Sequence, residues 1–202
     1  MESVREYSLD ALKMFLIVLV IYAHIPLLDG FIPMRGIQLD ALTWHSVKGI
    51  YSFHMPLFVL LSGYFTRRKD VQSQWKGSVK LLKLFVCFHI VDLTLKSLSI
   101  GQFPTLYNCI CPSFALWFLL CLFYWRMLIS LLPETLDRRF LVMGSVVISL
   151  LIGFVPIRNE MGIHRFFSFM PYFFIGHYYG HELMQKIDNH TLKIAPPSYS
   201  YA

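Results

Sequence analysis

Long apolar runs alternate with short polar breaks along the whole chain. The runs cover residues 9–28, 47–65, 79–100, 114–132, 140–157 and 166–183. Each is close to the ~20 residues that an α-helix needs to cross ~30 Å of hydrocarbon. In lipid, only helices and closed barrels satisfy their own backbone. The runs lack the dyad alternation of barrel strands. The pattern therefore predicts an all-α fold, a polytopic membrane bundle of about six transmembrane helices. The third run is the weakest, because it carries Asp92 and Lys96. Residues 1–185 make up the predicted bundle, and 186–202 a short polar tail that ends beyond Pro196 and Pro197. The first run is too long for a signal-peptide core and carries Asp10 and Lys13, so it reads as a retained span.

Composition strengthens the membrane reading. Of the 202 residues, 56% are hydrophobic and only 15% charged, with a mean hydropathy of +0.55. Soluble domains average about 25% charged residues. A soluble globule this small could not hide so much apolar surface. The net charge of +6 would suit nucleic acid in a soluble protein. Here the basic residues sit in the breaks between apolar runs, as topology signals do, and no nucleic-acid partner is expected. With the N-terminus in the cytoplasm and six spans, 13 of the 18 Lys and Arg fall on the cytoplasmic side and five outside. That bias predicts an N-in, C-in orientation. Cys87, Cys109, Cys111 and Cys121 show no CxxC and no metal-ligand spacing. His177 and His181 stand i, i+4 without an HExxH, and no metal site is predicted.

Ionisable residues inside spans are the default candidates for function. The first span offers Asp10, Lys13 and His24. Lys13 and His24 are eleven residues apart, about 16 Å of helix rise, and fall on nearly one face. In the second span His54 stands just before Pro56, whose missing N–H frees a carbonyl and bends the helix. Asp10 and His54 are further polar residues for a pore. Ser62 and Gly63 form a small-residue patch where another helix can come close. Arg67, Arg68 and Lys69 follow at once, a positive-inside signal that also suits a phosphate clamp at the cytoplasmic mouth. Asp92 and Lys96 are spaced to pair along one helix face.

Four stretches resemble the acyltransferase 3 family of integral-membrane acyltransferases, and within it the bacterial fucose 4-O-acetylase-like enzymes. Arg5, Leu9, Asp10 and Lys13 followed by Val20–His24 resemble the family's opening span, where ten residues separate a basic residue from a histidine. Phe53–Phe58 with Leu61–Phe65 resembles its second signature. Ala115–Leu120 resembles a mid-chain tryptophan span, and Phe169–Gly176 a later proline–glycine span.

The resemblance implies an O-acetyltransferase of the bacterial inner (cytoplasmic) membrane. It would move an acetyl or acyl group from acetyl-CoA (acyl-CoA), a donor substrate and not a bound cofactor, to a hydroxyl of a carbohydrate or surface glycan. Carried over, His24 is the catalytic base, and Lys13, Arg67 and Arg68 bind the donor. Lys13 stands where the family usually has Arg, so the charge is kept and the bidentate fork is not. The runner-up of a different class is a multi-span small-solute transporter or exporter subunit. It would also show intramembrane charges, but matching halves with broken helices are not seen. Family members generally have more than six spans, so a truncated and inactive form, completed by a homo-oligomer or a partner chain, is a further expectation.

Overall fold

The computed structural model describes residues 2–24, 41–101, 103, 105–112, 116–155 and 160–194, with backbone alone at some of them, Asp10 and His24 included. Helices form wherever an apolar run was found. They are α1 (Glu2–His24), α2 (Ala41–Phe65), α3 (Val71–Ile100), the short α4 (Leu106–Ile110), α5 (Leu116–Leu131), α6 (Arg138–Ile152) and α7 (Ile163–Ile194). There is no strand among the described residues. Several helices outrun their apolar runs, α3 and α7 the most. α3 begins at Val71 because the Asp70 carboxylate caps it, accepting the Ser73 N–H at 2.9 Å. That bond holds the exposed Asp70 carboxyl below its ordinary pKa. α7 continues to Ile194, well into the expected polar tail; residues 195–202 lie outside the described ones.

No helix among the described residues is long and apolar enough to cross a membrane. α5 with 16 residues and α6 with 15 rise only about 22–24 Å. The long helices carry charges instead: Lys76, Lys80, Lys83, Asp92 and Lys96 in α3, Arg165, Glu182 and Lys186 in α7. The expected helices are therefore present, while the length and hydropathy expected of spans are not met by any one of them.

Adjacent helices run up and down. α1 is antiparallel to α2, with Lys13 against Phe65, Leu16 packed with Leu61, and Tyr22 3.4 Å from Ser46. α3 is antiparallel to α5, with Trp75 edge-on to Phe123. α6 is antiparallel to α7, with Arg138 paired to Glu182 at one end and the Ser149 hydroxyl bonded to the Ser168 carbonyl at the other. α2 and α7 run parallel and touch backbone to backbone. A Cβ on Gly63 would lie 2.1 Å from the Phe173 carbonyl oxygen, and one on Gly176 1.9 Å from that of Leu60. Only glycine permits such an approach. His177 locks the same pair, its Nδ1 donating to the Thr66 carbonyl at 2.9 Å.

The core lies among α2, α5 and α7. Trp125 is fully buried, stacks on Phe173 and donates its indole N–H to the Phe166 carbonyl at 3.1 Å. The outer faces are apolar as well. α6 turns Phe140, Met143, Val147, Leu150 and Leu151 outward, and α3 turns out Leu84, Phe88, Val91, Leu95 and Leu98.

Candidate functional site

α2 ends at Phe65, and α3 starts at Val71. The five residues between them carry Arg67, Arg68 and Lys69. This non-helical segment spreads the basic cluster over two neighbouring cavities, with Lys69 lining both. Arg67 and Lys69 line a cavity of about 170 Å³. Arg68 goes the other way. Its guanidinium donates to the Leu132 carbonyl beyond the end of α5, and its Nε lies 3.4 Å from Glu134. Arg68 therefore ties the α2–α3 connection to the α5–α6 turn.

The cavity's remaining walls come from α3 and α5. Ser73, Gln74, Gly77 and Ser78 face it from the first turns of α3, and Arg126 from α5. Gln74, Ser78 and His89 mark the buried stripe of α3, at helical spacing. Arg126 is the sole charge of α5, held in place by an otherwise apolar helix packed on α3 and α7. Three cations line this cavity and no carboxylate does. The Ser78 hydroxyl, with the residue 1% exposed, has no hydrogen-bond partner, and neither has the buried Arg126 Nε. Such groups cost free energy when left unmet in a folded protein, and they mark a place built for something else to bind.

Lys13 reaches the same end of the bundle. Its Nζ sits 3.8 Å from the centroid of the Phe65 ring, and Phe65 itself lines the cavity. Lys13 thus lies beside a residue of the cavity wall without itself lining the cavity. His24 closes α1, eleven residues beyond Lys13. Its side chain and that of Asp10 lie outside the described residues. His54 lies eleven residues before Phe65 in α2. Both histidines stand about 16 Å of helix rise from the Lys13–Phe65 contact. His54 is fully buried, and its Nδ1 is 2.6 Å from the Ile50 carbonyl. A carbonyl only accepts, so Nδ1 is the donor in this bond.

The other polar candidates are occupied in structure. Lys96 Nζ and Asp92 pair at 2.8 Å along α3. His89 joins neither: its Nε2 donates to the Cys109 carbonyl of α4 at 2.9 Å. His177 bonds to Thr66, and His181 packs on Tyr64. Arg126, Gln74 and Ser78 were not singled out as site residues by the sequence. One signal did point to Arg126: a lone charge inside an apolar run, read above only as a topology marker.

The acyltransferase 3 family, described as an acyltransferase domain, matches this chain over residues 6–195. No curated protein and no solved structure matches it.

Proposed function

The chain belongs to the acyltransferase 3 family of membrane-type acyltransferases, and we propose that it transfers an acetyl group from acetyl-CoA to a hydroxyl of a carbohydrate. The observation that carries this is the cationic cavity that Phe65 shares, with Lys13 on the other side of that ring and histidines about 16 Å of helix rise away on α1 and α2. CoA is a poly-phosphorylated carrier with a long, thin arm. Its phosphates suit the cationic end, and its thioester suits a place further along α1 and α2. The acceptor hydroxyl gives its proton to the His24 imidazole as its oxygen attacks the thioester carbonyl. The C–S bond then breaks, and the CoA thiolate leaves and takes up a proton. No carboxylate or metal is needed in this step. The transporter reading gains no support from the family match.

In the same reading the bundle sits in the bacterial inner membrane, N-in and C-in. Support comes from the outward apolar faces of α3 and α6 and from the basic residues collected at one end. Charged helix ends then reach the headgroups, and neighbouring helices share the polar residues that no single span could carry. Cysteines introduced at Gln38 and Phe103 are expected to react with an impermeant reagent in intact cells, and one at Ser73 to be protected. Labelling at Ser73 overturns this orientation.

Donor binding is tested with labelled acetyl-CoA on membranes. Arg67→Ala and Lys13→Ala should raise KM for acetyl-CoA about tenfold, the loss of one charge-assisted contact each. Lys13→Arg should keep or improve it. Arg68→Ala should lower thermal stability with a smaller effect on KM, because its partners are Leu132 and Glu134. Unchanged KM in both Arg67→Ala and Lys13→Ala rejects this end as the donor site.

A further inference from the structure

We propose that Arg126 and Ser78 form the floor of a pocket for a phosphoryl group carrying at least two negative charges, and so decide which phosphates the protein accepts. This rests on the acetyl-CoA reading above and goes beyond it by naming the group bound and the residues that read it. Three observations lead here. First, the cavity is lined by Arg67, Lys69 and Arg126 with no acidic side chain. Second, Ser78 is 1% exposed, lines the cavity and has an unpartnered hydroxyl. Third, the Arg126 Nε is buried and unpartnered in the same wall.

The donor set selects the ligand. Two guanidiniums, an ammonium, a hydroxyl and the Gln74 amide offer more N–H and O–H groups than the two oxygens of a carboxylate can accept. A phosphate monoester offers three terminal oxygens and a charge near −2, which balances the lining cations far better. Arginine forks match phosphate oxygens two at a time. At about 170 Å³ the cavity has room for the phosphoryl group with its ester oxygen and not for a whole nucleotide, so the rest of the ligand must extend through the opening. Local order supports the pocket from outside. Asp70 caps α3 and so fixes Ser73, Gln74 and Ser78 on successive turns. Arg68 pairs with Glu134 on the adjoining side of the connecting segment. The phosphoryl group has two possible sources, the terminal monoester of CoA and the headgroup of an anionic lipid.

The test uses the full chain in nanodiscs of phosphatidylcholine, with CoA and dephospho-CoA as probes. Wild type is expected to bind CoA at least about tenfold more tightly than dephospho-CoA, the worth of charge-assisted bonds to one phosphoryl group. Arg126→Gln should bring the two affinities within about twofold, and Ser78→Ala should cut the ratio in part. A merely structural Arg126 would show itself differently: Arg126→Gln would lower Tm and weaken both probes equally. The pocket assigned here requires Tm without ligand to hold, since the Arg126 Nε has no partner in the protein to lose. The lipid arm repeats the comparison by native mass spectrometry after reconstitution in phosphatidic acid, whose headgroup is a phosphate monoester. Lipid retained by wild type and lost in Arg126→Gln supports the pocket with a headgroup as its source. Equal binding of both probes, with no retained lipid, overturns it. Acetyl transfer is scored apart: a CoA preference without transfer rejects the acetyltransferase reading and leaves the pocket standing, and transfer without that preference does the reverse.

Discussion

Replacing His24 by alanine is expected to cut acetyl transfer by about 10²-fold or more, with membrane insertion unchanged. The argument starts from the acceptor. An alcohol is a weak nucleophile until its proton begins to leave, and a neutral imidazole is the side chain best suited to take it near neutral pH. His24 ends α1, the helix whose Lys13 sits against Phe65 at the cationic end. About 16 Å of helix separates the two positions, which suits a donor bound by its phosphates at one and reacting at the other. His24→Gln keeps polarity and hydrogen bonding but supplies no base, so it should fail as badly as alanine. His54 provides the internal comparison. It is fully buried on α2, at the same number of residues from Phe65, and its Nδ1 donates to the Ile50 carbonyl. His54→Gln should lower the rate less than His24→Gln. A near-normal rate in His24→Gln together with a dead His54→Gln moves the base to His54 and rejects the assignment made here. Labelled acetyl-CoA and a panel of glycans on matched membranes supply the measurement.

The helices were legible because hydropathy alone places them, and each of the six apolar runs became one helix. So was the Ser62–Gly63 patch, since a glycine in an apolar helix has few uses other than close packing. The Asp92–Lys96 pair followed from i, i+4 spacing. What the runs could not show was where polar helix begins and ends. The early start of α3 depends on Asp70 capping Ser73, and the late end of α7 on a polar stretch with no apolar signal. The site was half legible. Lys13 sits against Phe65, and Phe65 and Arg67 line one cavity, whereas Arg68 does not line it. That separation arises within a non-helical segment, which a charge cluster in a sequence hides. Arg126 and Ser78 come from α5 and α3, and only the antiparallel register of those two helices puts them in one wall.

Gly176→Ala is expected to destabilise the protein by about 1–3 kcal/mol, as overpacking does, and to weaken donor binding at a distance. The added Cβ would meet the Leu60 carbonyl oxygen at 1.9 Å and its carbon at 2.8 Å. Both are backbone atoms, so no side-chain rotation relieves the clash. α2 and α7 must move apart by roughly 1.5 Å to restore ordinary contact. In lipid, helix association depends on such packing, because the hydrophobic effect favours neither partner over the acyl chains. Separation also stretches the 2.9 Å bond from His177 to the Thr66 carbonyl, and Thr66 lines the cationic cavity. Packing and donor binding are therefore coupled through one hydrogen bond. Gly63→Ala meets the Phe173 carbonyl oxygen at 2.1 Å and should behave alike. The double variant should cost less than the sum, since the first separation already makes room for the second methyl. Gly144→Ala is the control: its Cβ meets nothing within 4 Å, so it should be neutral or stabilising by up to ~1 kcal/mol from helix propensity. Thermal unfolding in detergent, read beside CoA affinity, separates these outcomes. If Gly176→Ala melts with Gly144→Ala, the backbone contact between α2 and α7 is absent, and the coupling to the cavity goes with it.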